Sequence, residues 1–294
     1  MKTAVIFLMT GPSHLPNLCV SLMSLRNVWD GMVFVYAWED SFEIAEKICK
    51  DHRINAVPVL CHPTHGYRGK NSQEISKIDL IQQIKDYDVV VYLDADLIIK
   101  KSIQPLIDAT DNESGSVITQ FNSWSMRNGI PRGRVKRLLQ FPEVDAEWVH
   151  ESMKFQYPAL NSGVFACRPD APMLPEWGRW TEISRTIYIS GESALHPISL
   201  KYKIPVLRNG VFNCSTKYQS PSLPDEDVAI WHFHGDSNTR YNKSPRGVRM
   251  WYPEFEKIMD QNVGEIEDWI NAIPNRFLVQ LRANGIPQLD TVNS

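Results

Sequence analysis

Four short apolar runs constrain the fold of this chain more than any other feature. Residues 3–9, Gly31–Ala37, Ala56–Leu60 and Val89–Leu93 each read as a β-strand. Between them lie segments with apolar residues at helical spacing: Leu18, Leu22 and Leu25, then Phe42–Asp51, then Ile75, Ile78, Ile81 and Ile84. Asn71, with Glu74 three residues on, predicts a capping box at the start of that third helix. Strands alternating with helices predict an α/β fold whose mostly parallel sheet is flanked by helices. Ligands of such sheets bind beyond the carboxyl ends of the strands.

One of those ends is chemically unusual. The run Asp88–Leu93 stops at Asp94-Ala95-Asp96, two carboxylates separated by one small residue. A carboxylate at such a point needs a counter-charge, because burying it unpaired is costly. Two oxygens delivered from a strand end, with room for waters and phosphates, suit Mg²⁺ or Mn²⁺. The alternative is that the two acids only cap a strand or a helix N-terminus.

The second half is less regular. Val117–Phe121, Leu160–Cys167 and Ala229–Phe233 read as strands around a polar, aromatic and basic insertion at 122–158. From Trp251 the chain reads as helical, with Ile266, Trp269, Ile270 and Ile273 on one face. The expected division is a domain at 1–250 and a helical extension at 251–294 packed on it. Formal net charge is −3, so no general basic field points to nucleic acid. Five widely spaced cysteines without a Cys-x-x-Cys pair argue against a disulfide framework or zinc site, and fit a reducing compartment such as the cytoplasm. No run approaches the ~20 apolar residues of a membrane span. The apolar N-terminus runs straight into the turn Thr10-Gly11-Pro12-Ser13 and reads as a first strand rather than a leader.

Three further segments surround the acids in sequence order. Lys77 lies beside the apolar stripe of its helix, where it could reach a phosphate or simply be solvated. Asn161-Ser162-Gly163 interrupts a strand, and a glycine there marks a β-bulge or the close approach of a ligand. His232 and His234 share one face of a strand that turns at Gly235, and either imidazole is a good third ligand for Mn²⁺.

Lys77, Tyr92-Leu93-Asp94-Ala95-Asp96, Asn161-Ser162-Gly163-Val164-Phe165 and His232-x-x-Gly235 together resemble the ordered signature of the family 8 glycosyltransferases, GT-A enzymes related to glycogenin. Thr119-Gln120-Phe121, Glu192-Ser193-Ala194-Leu195 and Phe212-Asn213-Cys214-Ser215 are similar to a bacterial branch of that family. The resemblance spans about residues 3–250. It implies a GT-A fold and transfer of a sugar from a nucleotide-diphosphate donor, a UDP-sugar, with retention of anomeric configuration. It implies Mn²⁺ or Mg²⁺ held by Asp94, Asp96 and His232, with His234 as the alternative. Lys77, Ala95, Thr10, Gly11 and Gly235 would line the donor. Asn161 would bind the donor sugar and Glu192 would face the anomeric carbon. The acceptor would be a carbohydrate, a lipid-linked group or a protein.

Two positions depart from the family pattern. Gly191-Glu192 stands where the family has Asp-Gln or Asp-Glu, and Asn238 stands where it has the lysine that clamps the diphosphate. Arg240 or Lys243 could replace that lysine, and arginine grips phosphate bidentately. The basic stretch Arg132–Arg137 reads as a guide for an anionic acceptor or a lipid head group at a membrane surface, or as a solvated helix face. Trp124 and Trp148 could stack on an acceptor sugar or pack the insertion down. A sugar-phosphate nucleotidyltransferase would need a glycine-rich loop bearing a cation after the first strand, and Thr10–His14 has one glycine and no Lys or Arg. The remaining alternative is a weak or inactive nucleotide-sugar- or carbohydrate-binding protein.

Overall fold

The computed structural model describes residues 1–63, 70–125, 129–154, 158–207, 210–216, 223–233 and 245–265. Its first half follows the expected alternation: β1 (Thr3–Met9), α1 (Leu15–Arg26), β2 (Met32–Trp38), α2 (Glu39–Lys50), β3 (Val57–Cys61), α3 (Lys70–Gln83) and β4 (Val89–Leu93). Then come β5 (Leu97–Ile99), α4 (Gln104–Asp108), β6 (Ser116–Ser125), α5 (Gly129–Arg137), α6 (Ala146–Lys154) and β7 (Pro158–Cys167). The described remainder holds α7 (Met173–Ile183), α8 (Ser190–Lys201), β8 (Val206–Leu207), β9 (Cys214–Ser215), β10 (Ile230–His232) and α9 (Pro245–Asp260).

Seven strands form one sheet in the order β3-β2-β1-β4-β7-β6-β8. The contacts β3·β2, β2·β1, β1·β4 and β6·β8 are parallel, and β7 alone runs against its neighbours. The sheet is apolar on both faces, as helices on both sides require. Along β1, Val5, Phe7 and Met9 join a core with α1, α2 and α9, while Ile6 and Leu8 join a second core with α3, α6, α7 and α8. Trp177 and Trp180 fill the second core without exposure.

A second, three-stranded sheet, β5-β10-β9, lies past the end of β4. It pairs Leu97 with His232 and so brings a distant strand against the acidic turn. The insertion read at 122–158 contributes the end of β6 and the helices α5 and α6. The segment carrying Ile266, Trp269, Ile270 and Ile273 lies outside the described residues. Among those described, no helix is long and apolar enough to cross a membrane.

Candidate active site

The turn Asp94-Ala95-Asp96 is tied down from three elements. The Ser21 hydroxyl on α1 lies 2.7 Å from Ala95 O and accepts from Leu97 N at 2.9 Å. From β7, Gly163 O accepts the Asp94 N–H at 2.8 Å, and Phe233 N donates to Asp96 O at 3.0 Å. Asp94 N, Ala95 O and Asp96 O thus have protein partners, which fixes the turn from which the two carboxyl groups project.

His232 completes the group from β10. Its Nε2 is 3.2 Å from Asp96 Oδ1 and 3.7 Å from Asp94 Oδ2. One donor atom from each of Asp94, Asp96 and His232 lies within 4.8 Å of the others, a spacing that a single ion can bridge. The other ring nitrogen, Nδ1, is 2.9 Å from Asn213 Oδ1. That bond orients the ring and leaves Nε2 aimed at the acids, which is how histidine ligands are held in metal sites. Burial acts to lower the His232 pKa, but the charges of Asp96 and Asp94 outweigh it and raise it. The same negative charge that favours a proton on His232 would favour a divalent cation between the three side chains. Two carboxylates and one imidazole fit Mn²⁺ or Mg²⁺. Burial also works to raise Asp96, yet His232 and His14 hold it below its ordinary value. Asp94 is pushed up by burial, by Asp96 and by Glu74, against the opposing pull of Lys77 and His232.

Lys77 is neither solvated nor at the edge of its helix face. It is 2% exposed, with Nζ 2.9 Å from Glu74 Oε1 and 3.9 Å from Asp94 Oδ1. It also donates to Ser162 Oγ at 3.0 Å and stands 4.9 Å from the Tyr92 ring centroid. Burial alone would depress the ammonium pKa, but Glu74 and Asp94 raise it, so Lys77 is charged. Tyr92 donates its hydroxyl to Asp94 Oδ1 at 3.0 Å. Asp94 is therefore held inward through Oδ1, while Oδ2 faces His232. The capping box expected of Glu74 is not formed: α3 begins at Lys70, ahead of Asn71, and the Glu74 carboxylate turns toward Lys77 and Ser162. The buried lysine explains this, since it needs a counter-ion more than a helix end needs a cap. The Asn71 side chain lies outside those described.

The interruption at Asn161-Ser162-Gly163 is a bulge that serves the site. Ile118 pairs with Phe165, but the next residue, Thr119, pairs with Asn161, so β7 has slack at Ser162, Gly163 and Val164. A Cβ on Gly163 would overlap the His232 ring and lie 2.5 Å from Asp94 Oδ2. Only glycine allows Asp94 and His232 to approach here. Asn161 Oδ1 accepts from Gly163 N at 2.8 Å and from Asn213 Nδ2 at 2.9 Å. Its Nδ2 donates to Glu192 Oε1 at 2.5 Å. A chain of hydrogen bonds thus runs from His232 through Asn213 and Asn161 to Glu192.

Glu192 lies in the first turn of α8, whose preceding residue, Ile189, has φ 55°. A β-branched residue in the left-handed region is rare, and the strain marks a turn fixed by its surroundings. Burial raises the Glu192 carboxyl to about 7, with Glu74 adding to the shift and Lys77 opposing it. Arg134 of α5 also acts to lower it. Arg134 stacks 4.9 Å over the Tyr188 ring, whereas Arg132, Lys136 and Arg137 are exposed.

At the same edge of the sheet, Thr10 accepts from Gln73 Nε2 at 2.6 Å. A Cβ on Gly11 would meet nothing within 4 Å, which leaves open space beside the end of β1. The structure therefore brings together Asp94, Ala95, Asp96, His232, Lys77, Asn161 and Glu192. His234, Gly235, Asn238, Arg240 and Lys243 lie outside the described residues. Asn213, Tyr92 and Ser162 take part without having been assigned roles from sequence, and Glu74 was expected only as a helix cap. Asn213 was signalled only by the Phe212–Ser215 similarity, and Glu74 by its position three residues before Lys77.

Residues 74–174 match the family model described as glycosyl transferase family 8. No curated protein matches the sequence. Among solved structures, the galactosyltransferase LgtC in complex with donor and acceptor sugar analogues is similar, with 15% identity and a TM-score of 0.56 over 86% of this chain and 95% of that one. Mouse xyloside xylosyltransferase 1 in its apo form aligns with 14% identity and a TM-score of 0.54 over 81% of this chain and 99% of that one. GlyE of Streptococcus pneumoniae aligns with 12% identity and a TM-score of 0.51 over 90% of this chain and 64% of that one. These likenesses show the fold, and the family match lies on the acidic strand and the bulge that faces it. The chain is a glycosyltransferase of the GT-A fold that resembles family 8.

Proposed function

We propose that the protein transfers a sugar from a UDP-sugar to an acceptor hydroxyl, with Mn²⁺ or Mg²⁺ and with retention of anomeric configuration. The observation that supports this best is the Asp94, Asp96 and His232 group joined to Glu192 through Asn213 and Asn161. In this reading Asp94, Asp96 and His232 hold the cation. Bound there, it would act as a Lewis acid that neutralises the leaving diphosphate. Lys77 adds positive potential from behind Asp94, where it costs no reorganisation during the reaction. Thr10 and Gly11 receive the nucleoside beside the open end of β1, and Ala95 closes the turn under the diphosphate. Gly235 and Arg240 would complete the diphosphate site.

The bond from the anomeric carbon to the phosphate oxygen breaks, and its electron pair leaves with the diphosphate. Asn161 holds the sugar, and Glu192 stabilises the oxocarbenium-like centre. The acceptor oxygen attacks from the face that the leaving group departs, and its proton passes to the leaving phosphate oxygen. The acceptor is a carbohydrate, a lipid-linked group or a protein. The domain at 1–250 carries this chemistry, and α9, which leads into the remainder of the chain, packs on α1. The five cysteines are all buried and free, which supports a reducing compartment such as the cytoplasm.

The test is a panel of UDP-, GDP- and CDP-sugars in thermal unfolding, with and without Mn²⁺. A ligand that binds the native state raises its melting temperature. The expected result is a rise with a UDP-sugar that requires Mn²⁺. An equal rise without Mn²⁺ would remove the metal from the reading, and no rise with any donor would remove the donor.

A further inference from the structure

Glu74 lies one turn before Lys77 on α3 and binds two partners with its two oxygens. Oε1 is 2.9 Å from Lys77 Nζ, and Oε2 accepts from Ser162 Oγ at 2.8 Å. Ser162 in turn accepts from Lys77 at 3.0 Å, so the three side chains close a ring. The same ammonium stops 3.9 Å from Asp94 Oδ1. Without Glu74, the closest remaining carboxylate for Lys77 would be Asp94.

The facing turn of α8 is shaped to admit Glu74. A Cβ on Gly191 would overlap Glu74 Oε2 and lie 2.9 Å from its Cβ and 3.1 Å from its Cδ. Trp177 Nε1 donates to Gly191 O at 2.9 Å and holds that turn in place. Glu74 and Gly191 are thus matched across the contact of α3 with α8. An aspartate at 191 would deliver its carboxylate into the volume that Glu74 now fills.

We propose that Glu74 is a positioning residue for the candidate metal centre: it holds the Lys77 ammonium 3.9 Å from Asp94 Oδ1, so that Asp94 keeps Oδ2 turned to a cation, and Gly191 is the space that admits it. The acid that the family resemblance places at 191 has then moved to α3 rather than been lost. The inference rests on the reading of Asp94, Asp96 and His232 as a metal centre.

The test is Mn²⁺ binding by the full chain, read from the electron paramagnetic resonance of free Mn²⁺, alongside the melting temperature. Glu74→Gln keeps the shape and the acceptor for Ser162 but removes the charge. It is expected to weaken Mn²⁺ binding about tenfold while the melt stays cooperative, the effect typical of groups that orient metal ligands. Gly191→Asp alone should weaken binding as well, through overlap and like charge. The pair Glu74→Ala/Gly191→Asp, which returns one carboxylate to the same volume, should bind more tightly than Glu74→Ala. Unchanged affinity in Glu74→Gln, or a pair no better than Glu74→Ala, would overturn the proposal and leave the metal centre standing. Glu74→Gln decides the matter if Gly191→Asp does not fold. Should the wild-type protein bind no Mn²⁺, the metal centre fails, and this proposal with it.

Discussion

The Asp94 and Asp96 side chains are 31% and 15% exposed, whereas Glu74 and Lys77 behind them are 12% and 2% exposed. Both places gather acids that repel one another. In the inner group the counter-charge is covalent: Lys77 sits between Glu74, Asp94 and Glu192 and is charged despite its burial. In the outer group the side chain that faces both carboxylates is the His232 imidazole, which can exchange its proton. A fixed lysine cannot leave when a phosphate arrives, but a proton can give way to a metal carrying one. The inner group is thus built for permanence and the outer group for exchange.

The strongest way to break this contrast is to disable the exchangeable side. Asp96→Asn removes one of two carboxylates from the proposed metal set. Since metal-borne charge stabilisation is worth several kcal/mol, metal-dependent donor hydrolysis should fall about a thousandfold. The metal-free variant should melt close to wild type, because Asp94 still faces His232. Retained metal-dependent turnover in Asp96→Asn would show that the ion, if it acts, is held elsewhere.

The permanent side should respond in stability instead. Lys77→Met leaves Glu74 buried without its cation, and breaking a buried pair this way costs about 3–5 kcal/mol. Denaturant unfolding should report that loss, while treating the wild-type protein with a chelator should change its stability far less. A chelator effect as large as that of Lys77→Met would mean the two groups do not differ as described.

The two groups also differed in how far the sequence disclosed them. Asp94 and Asp96 end a strand in a sheet whose strands β1, β2 and β3 are also short, mainly apolar runs, so both the sheet and the place of the acids follow from pattern. His232 could be placed beside them only through family resemblance, because β5 and β10 are three residues each and carry no periodicity of their own. The inner group was harder to read. Glu74 has the spacing of a cap, and nothing local says that a lysine one turn away will be buried. Helix α8 is buried on nearly every side, from Ser190 to Ser199 with Glu192 as the exception, and contains Pro197, so it has no polar face to give a helical stripe. Gly191 consequently looked like a missing acid. Its meaning depends on a contact with Glu74, 117 positions earlier in the chain.

The smallest expected effect concerns Glu192, which touches both groups: Asn161 links it to the outer one, and Glu74 repels it from the inner one. Burial and Glu74 raise its carboxyl from an ordinary 4.5 to about 7. The native state therefore favours the protonated form more than the unfolded chain does. The sign follows from linkage: stability associated with this group is fully present below pH 4.5 and is lost as pH rises toward 7. Glu192→Gln cannot ionise and should not show that loss. In metal-free protein, the difference in melting temperature between Glu192→Gln and wild type should grow in favour of the variant from pH 4.5 to 7 and then level off. Glu192 is partly exposed, so the change should be modest. A difference that stays flat across the window would mean that Glu192 titrates alike in the native and unfolded states and that Glu74 does not reach it. The inner group would then act on Asp94 alone.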